Sequence, residues 1–186
     1  MAAFTIRTYG DPVLRHPASE VTEIDGALRQ LVEGMIDTMY EASGLAVAAP
    51  QVGVEKRLFV YHLPDDETPL TLMNPTITLL DGDEWTYDEG CLSVPGLYFT
   101  IQRPRNVVVT GLDLDGNELH IEATDLTARM FQHEIEHLDG HLLLEHLTPA
   151  QRKTALRILR DRQVTDVRPR KSESLTIDPD GEIVDD

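Results

Sequence analysis

One stretch constrains this chain more than any other: LTARMFQHEIEHLDG, from Leu126 to Gly140. Two histidines near its centre, His133 and His137, stand four residues apart. On an α-helix such residues project from one face, about 40° round from each other, so both imidazoles can reach a single metal ion. Glu134 lies beside that position, where a carboxylate can accept a proton from an activated water. The spacing therefore predicts a metal-binding helix that supports hydrolysis.

Helical periodicity supports this prediction, because one stripe contains Leu126, Met130, His133, His137 and His141. The stripe is expected to face the core. Asp125 or Thr124 can cap the start of the helix, and Gly140 can close its end. The alternative is a solvated, histidine-rich helix in which the spacing is accidental.

Size and composition favour one globular domain of 186 residues. No run of 18 apolar residues is present, and the N-terminal segment lacks the pattern of a signal or transit peptide, so a cytoplasmic location is expected. The net charge of −17 is unevenly spread. Residues 151–171 carry eight Lys/Arg against two Asp/Glu, whereas the last fifteen residues carry six Asp/Glu and no cation. We therefore predict a domain over 1–164, ending in a basic helix, and a flexible, mostly acidic tail over 165–186.

Other segments predict further helices and strands. A helix is expected after Asp25, with an apolar stripe that packs in the core and an end at Ser43-Gly44, and a last helix is expected from Thr148-Pro149. Strand-like segments and a turn at 115–117 indicate antiparallel β-structure packed against the helices, and thus an α+β fold. The strand-like segments are 57–63, 70–80, 106–114 and 118–123.

Two further segments contain candidate functional residues. The run GLAVAAPQVG, 44–53, consists of small residues around one amide, Gln51, which is either a loop amide bonded to backbone or part of a site. Cys91 is the one cysteine and is expected between strands, within 87–96. It is a candidate metal ligand or nucleophile, and a buried structural cysteine is the alternative.

Three motifs, in this order and spacing, resemble the signatures of the bacterial-type peptide deformylases: GLAVAAPQVG at 44–53, EGCLS at 89–93 and QHEIEHLDG at 132–140. The resemblance extends over about residues 4–162. It implies the deformylase fold, in which antiparallel strands surround a central metal-binding helix. It also implies that Cys91 joins His133 and His137 as a metal ligand.

By this resemblance, the reaction is removal of the N-formyl group from the N-terminal methionine of nascent polypeptides, with release of formate. Glu134 is then the general base and acid, and the Gln51 side chain with the backbone N–H of Leu92 stabilises the charge on the formyl oxygen. The family normally uses Fe²⁺, which Zn²⁺, Ni²⁺ or Co²⁺ can replace. Residues implied to line or edge the methionine pocket and its groove are Leu45, Ala46, Tyr87, Leu126, Arg129 (through its aliphatic stem) and Met130.

This chain departs from the family pattern at Ala46, Val47 and Glu136, where glycine, leucine and aspartate are usual. Ala46 is expected to narrow the groove beside the substrate backbone, and Glu136 to alter a contact behind the ligands. A zinc metallopeptidase is the rival enzyme. Its metzincin form is excluded, because it requires histidine where Leu143 stands. A form that uses a distant glutamate as the third ligand stays open, although it leaves Cys91 and Gln51 without roles.

A non-enzymatic alternative is an RNA-binding module with a structural metal closed by a fourth ligand such as His141. In an enzyme, the basic segment 151–171 could contact ribosomal RNA. The preferred interpretation of that segment is a solvated helix face that neutralises an acidic body.

Overall fold

The computed structural model describes residues 3–80, 82–165 and 174–184. Helix α2, Asp125–Leu138, runs through the middle of the fold. It starts after Thr124, and the chain turns away at Gly140, whose φ of +80° suits glycine. Ten of its fourteen residues are buried, so the predicted metal-binding helix is confirmed as a core element. His141, however, lies beyond the helix end with an exposed side chain bonded to Glu145, so the prediction that it shares the core-facing stripe is wrong.

Nine strands and three α-helices make up the described part of the chain. Five strands form an antiparallel sheet in the order β1-β2-β3-β6-β7, and four form a second sheet in the order β4-β5-β8-β9. The predicted α+β class is thus confirmed. The strands are β1 Ala46–Ala48, β2 Leu58–Tyr61, β3 Leu70–Leu79, β4 Glu84–Cys91, β5 Val94–Pro104, β6 Asn106–Leu112, β7 Glu118–Thr124, β8 Leu175–Ile177 and β9 Ile183–Val184. The other helices are α1 Gly26–Glu41 and α3 Pro149–Thr165, and short 3₁₀ turns cover Pro12–Arg15, Ala49–Val52 and Leu143–Glu145.

The five-stranded sheet is covered by a helix on each face. On one face, Phe59 and Tyr61 of β2 pack against Phe131 of α2. On the other face, Leu58 and Val60 pack with the methionines of α1, which confirms that the apolar stripe of α1 is core. Because β2 is buried on both faces, its sequence is a continuous apolar run, without the alternation of apolar and polar residues seen in half-exposed strands. No helix of the described ranges has both the length and the apolar character needed to cross a bilayer.

Strands β4 and β5 form a long hairpin where the sequence analysis placed Cys91 between strands. Cys91 is the last residue of β4, and a register shift lies between Gly90 and Cys91. The strand was missed because β4 is mostly polar, so it lacks the apolar alternation that predicts strands.

The C-terminal strands differ from the predicted flexible tail over 165–186. Strand β8 pairs in parallel with β5, and β9 pairs antiparallel with β8. Leu175 and Ile177 alternate with Thr176, and Ile177 is fully buried beneath β5 and α3, which offsets the acidic composition around them. Residues 166–173 and 185–186 of the predicted tail lie outside the described residues.

Candidate metal centre

Three side chains converge between the end of β4 and the middle of α2. The Sγ atom of Cys91 lies 3.2 Å from Nε2 of His137, which lies 3.2 Å from Nε2 of His133. All three ligand atoms fall within 4.8 Å of one another, and each side chain is at least nine-tenths buried. Ligands on one tetrahedral zinc at ordinary bond lengths would stand roughly 3.3–3.6 Å apart, so this donor set is close to the size a divalent ion requires.

The bulge at the end of β4 brings the thiol to the helix. The backbone of Gly90 passes so close to Tyr98 that an added Cβ would lie 2.7 Å from its ring. Glycine therefore allows the hairpin to close tightly just before Cys91. The two histidines need no such arrangement, because helical spacing alone places their rings 4.9 Å apart.

Glu89 connects the ligand His133 to two buried arginines. Its carboxylate accepts hydrogen bonds from His133 Nδ1 at 2.6 Å, from Arg103 at 2.7 and 2.8 Å, and from Arg129 Nη1 at 2.7 Å. Burial alone would raise the pKa of Glu89, but His133 and Arg103 hold it well below its usual range. With Nδ1–H donating to Glu89, the Nε2 atom of His133 is directed toward Cys91 and His137 and is the atom available to a metal.

Glu136 extends this network away from the ligands. It accepts from both terminal nitrogens of Arg103, at 2.7 and 3.0 Å, and its Oε1 lies 2.9 Å from Nε2 of His146. Burial raises its pKa, but His146 and Arg103 lower it to about 2 overall. At this position a changed contact behind the ligands was expected. The contact is an ion pair between Glu136 and Arg103, and Glu89 separates this pair from His133.

The surroundings of Cys91 favour its thiolate form, which can bind a cation. Burial raises the pKa of the Cys91 thiol, but the two adjacent imidazoles outweigh burial and bring it to about 5. Burial lowers the pKa of His133, whereas Cys91 and Glu89 raise it well above its ordinary value. A thiolate is the form of cysteine that binds metal, so Cys91 fits the role of ligand.

A cavity of about 440 Å³ opens next to this group. The predicted site residues that line it are Leu45, Ala46, Gln51, Cys91, Leu92, Leu126, Arg129, Met130, His133 and Glu134. Tyr87 does not line it; its ring is half-exposed and stacks on Trp85 at a centroid distance of 4.6 Å. Sequence analysis missed Tyr98 and Ser174, which also line the cavity.

Two polar side chains that line the cavity, Glu134 and Gln51, differ in their hydrogen bonds. Burial raises the pKa of Glu134, and its Oε2 has no hydrogen-bond partner among the described residues. Gln51 is 1% exposed, and its Oε1 accepts from the backbone N–H of Ala48 at 2.8 Å. Its Nε2 donates to Ser93 Oγ at 3.2 Å and lies 3.9 Å from Cys91 Sγ. The Gln51 amide thus presents a donor beside the thiol.

A sequence model of the family described as polypeptide deformylase matches residues 3–153. The chain belongs to the peptide deformylase family. Its relatives include the peptide deformylase of Thermodesulfovibrio yellowstonii, 46% identical over 156 residues that cover 82% of this chain and 94% of the relative. The peptide deformylase of Cellvibrio japonicus is 44% identical over 153 residues, covering 82% and 90%. The resemblance drawn from the three motifs is confirmed.

Solved structures of peptide deformylases share the fold. The crystal structure of the enzyme from Legionella pneumophila has a TM-score of 0.84 and 38% identity, covering 91% of this chain and all of that chain. The enzyme from Ehrlichia chaffeensis in complex with actinonin has a TM-score of 0.83 and 36% identity, covering 88% and 99%. The peptide deformylase-like fold is therefore confirmed, and the chain is a hydrolase of this family.

Membership of the peptide deformylase family decides between the alternatives left open by the sequence. The family acts in N-terminal deformylation and uses a divalent metal. Membership therefore argues against both alternatives, the metallopeptidase and the RNA-binding module. His141 lies outside the group formed by Cys91, His133 and His137 in the described part of the chain. Of the residues that sequence reasoning missed, Glu89 could have been found from its place at the start of the EGCLS motif.

Proposed function

We propose that this peptide deformylase removes the N-formyl group from the N-terminal formylmethionine of nascent polypeptides and releases formate. One observation carries the proposal: Cys91, His133 and His137 converge beside a cavity. Cys91 and His133 line that cavity together with Glu134 and Gln51, and His137 lies behind its lining. This is the arrangement that metal-assisted hydrolysis of a small acyl group requires, with a three-residue ligand set and a base beside it.

The side chains of Cys91, His133 and His137 would hold one divalent ion, for which we propose Fe²⁺ with Zn²⁺, Ni²⁺ or Co²⁺ as replacements. When bound, the ion supplies Lewis-acid polarisation and activates water at neutral pH. Glu89 keeps the His133 ring oriented for this role, because its carboxylate holds Nδ1–H at 2.6 Å.

Glu134 is proposed as the general base and then the general acid. Its Oε2 is buried and has no hydrogen-bond partner in the described part of the chain, so it can accept the proton of the attacking water and deliver that proton to the departing amine. Burial raises its pKa, which makes the carboxylate a stronger base than a solvated glutamate.

Gln51 and the backbone N–H of Leu92 are proposed to stabilise the charge that develops on the formyl oxygen. Support comes from Gln51, whose amide is fixed by the Ala48 N–H and directs its NH₂ toward Cys91. Preorganised donors of this kind act without reorganising during the reaction.

We expect Gln51→Ala to lower kcat about 10²–10³-fold, because one donor to the developing charge is removed. The KM for a formylated peptide should change much less, since the donor acts mainly in the transition state. Steady-state kinetics at fixed metal content measure both constants. A rise in KM with unchanged kcat would assign Gln51 to substrate binding instead. Thr76→Ala, an exposed change on β3 remote from the cavity, is the control.

The methionine side chain is proposed to occupy the apolar part of the cavity beside α2. Met130 and Leu126 line this part, with Leu45 at its edge, and the guanidinium of Arg129 turns away to Glu89 and to backbone carbonyls, so that its stem remains on the cavity side. Ala46 also lines the cavity, so its methyl group occupies space that glycine would leave open.

The function is tested by formate release. We expect the chain purified without oxygen to contain about one divalent ion and to convert formyl-Met-Ala-Ser into Met-Ala-Ser and formate, with both products identified by mass spectrometry and a formate assay. Removal of the ion with a chelator should abolish the reaction, and re-addition of Fe²⁺ or Co²⁺ should restore it. Cleavage between the amino acids, with the formyl group retained, would contradict the proposal.

The substrates place the enzyme where nascent chains emerge, and we propose a cytoplasmic location for it. Contact between the basic segment 151–171 and ribosomal RNA stays a hypothesis. Arg152, Lys153, Arg157 and Arg160 are exposed on α3, whereas Arg162 is half-buried and donates to the Pro95 carbonyl at 2.6 Å. Part of the segment lies outside the described residues.

A further inference from the structure

The C-terminal strap, defined here as residues 174–184, contributes one residue, Ser174, to the lining of the cavity. Its strand β8 pairs with β5 in register Leu97 with Leu175, Tyr98 with Thr176 and Phe99 with Ile177. The sequence match to the peptide deformylase family ends at residue 153, before the strap begins. The strap is thus a feature of this chain that the family match does not account for.

Ser174 directly precedes β8 and lines the cavity. Paired residues and residues two apart on a strand share a face of the sheet. Leu175 and Ile177 share the face of Leu97 and Phe99, which packs into the core below the sheet. Ser174 therefore shares the opposite face with Tyr98. Both residues line the cavity, and Leu97 lines it as well. Gly96, which would stand opposite Ser174 if the register continued, adds no side chain there.

Three hydrogen bonds hold the strap on α3 and the residue before it. The side chain of Gln151 donates to the Ile177 carbonyl at 3.1 Å, and Thr148 and Thr154 donate to the carbonyls of Pro179 and Gly181, each at 2.8 Å. Gly181 has φ of +84°, and an added Cβ would meet the Ala150 backbone at 2.8 Å. These contacts fix the position of β8 relative to the cavity.

The cavity has a buried end and an open end, and Ser174 lies toward the open end. The ligand side chains are at most 8% exposed, whereas Tyr98 is 37% exposed and Ser174 is half-buried. A formyl group that reaches the ligands must leave the rest of its peptide pointing out of the open end. Side chains at that end are therefore the ones that meet the residues after methionine.

We propose that Ser174 is a specificity-determining residue that contacts the second or third residue of the formylated peptide. This inference rests on the proposed function, which supplies the substrate. The strap then contributes Ser174 to a subsite for those residues, whereas Leu126 and Met130 of α2 line the part proposed for methionine.

Placing a negative or a positive charge at position 174 tests the contact. Ser174→Glu and Ser174→Arg are each assayed with pairs of formyl-Met peptides that carry lysine or glutamate at the second or the third position. Because an exposed ion pair contributes a modest amount, we expect Ser174→Glu to raise the Lys/Glu ratio of kcat/KM about three- to five-fold at one position, and Ser174→Arg to lower it as much. Salt should weaken both shifts.

The ratio compares two substrates on one sample, so the fraction of folded or metal-loaded enzyme cancels. Ile183→Glu and Ile183→Arg are matched controls, because Ile183 is an exposed residue of the strap that does not line the cavity. Unchanged ratios at both positions in the Ser174 variants, or equal shifts in the Ile183 variants, would overturn the inference. If the native chain releases no formate from any peptide, the proposed function fails, which is a distinct result.

Discussion

Replacing Glu134 with glutamine is expected to lower kcat for formate release by about 10²–10⁴-fold, the usual contribution of a positioned general base and acid. Glutamine has nearly the same shape as glutamate but cannot accept the proton of the attacking water. Among the described residues Glu134 Oε2 has no hydrogen-bond partner, and Glu134 is not one of the three converging ligands, so the variant should fold and retain its metal. Steady-state formate release and metal analysis of the same sample provide the measurement.

Two comparisons make this result specific to the carboxylate. Glu122→Gln, an exposed change on β7, should keep native turnover. Metal analysis separates loss of the base from loss of the ion, because only the second would lower the metal content. A Glu134→Gln variant that keeps its metal and turns over at more than about a tenth of the native rate would assign the base to another group.

The metal-binding helix was predictable because its signal is local. His133 and His137 need only helical spacing to share a face, and α2 forms as expected from Asp125 to Leu138. Cys91 is 42 residues before His133 in the sequence, and no local pattern joins the two. As the one thiol of the chain it was a candidate ligand, but that it joins the two histidines was implied only by the resemblance to peptide deformylases. The structure places its sulfur 3.2 Å from Nε2 of His137.

The buried ion pairs could not be predicted from periodicity. Glu89 meets Arg103, Arg129 and His133 across 14, 40 and 44 residues of sequence. Each of these charges is found inside only because the others neutralise it, which apolar patterns do not reveal. The same ion pairs explain why strand β4 was missed. Its sequence is mostly polar, and a polar segment is typical of a surface loop unless its buried glutamate is known to be paired.

The strands of the C-terminal strap were not predicted from the sequence either, because nothing local indicates them. The acidic composition of the strap is typical of a disordered tail, and its strands are only three and two residues long. Such short strands form here because β5 offers a paired edge and α3 offers carbonyl-binding side chains such as Gln151. Tertiary contacts therefore decide the structure of a segment that has little intrinsic preference.

The departures from the family pattern have different consequences for the site. Val47 is fully buried against the methionines of α1 and does not line the cavity, so the exchange for leucine lies outside it. Ala46 packs with Phe59 and Phe131 instead and lines the cavity. Glu136 keeps the carboxylate that aspartate would supply and reaches Arg103 with both oxygens. Of the three positions, Ala46 is the one placed to affect substrate fit.

Replacing Glu89 with alanine is expected to destabilise the fold by roughly 3–5 kcal/mol, because it removes one partner from a buried ion pair. Arg103 and Arg129 are 3% exposed and would stay in the interior, Arg129 without its carboxylate and Arg103 with only Glu136. The His133 ring would also lose its acceptor, and loss of such a partner commonly lowers metal affinity about 10–100-fold. Two separate quantities, the free energy of unfolding and metal affinity, should therefore fall together.

Urea unfolding of the metal-free proteins isolates the first effect, and competition with a chelator measures the second. Glu84→Ala is the matched control, since Glu84 lies on the same strand with an exposed side chain and should change stability by no more than about 0.5 kcal/mol. Glu89→Gln should fall between the control and Glu89→Ala, because the amide retains a hydrogen-bond acceptor but no charge. A loss below about 1 kcal/mol in Glu89→Ala would mean that the arginines reach water when the carboxylate is absent, and that Glu89 serves only to orient His133.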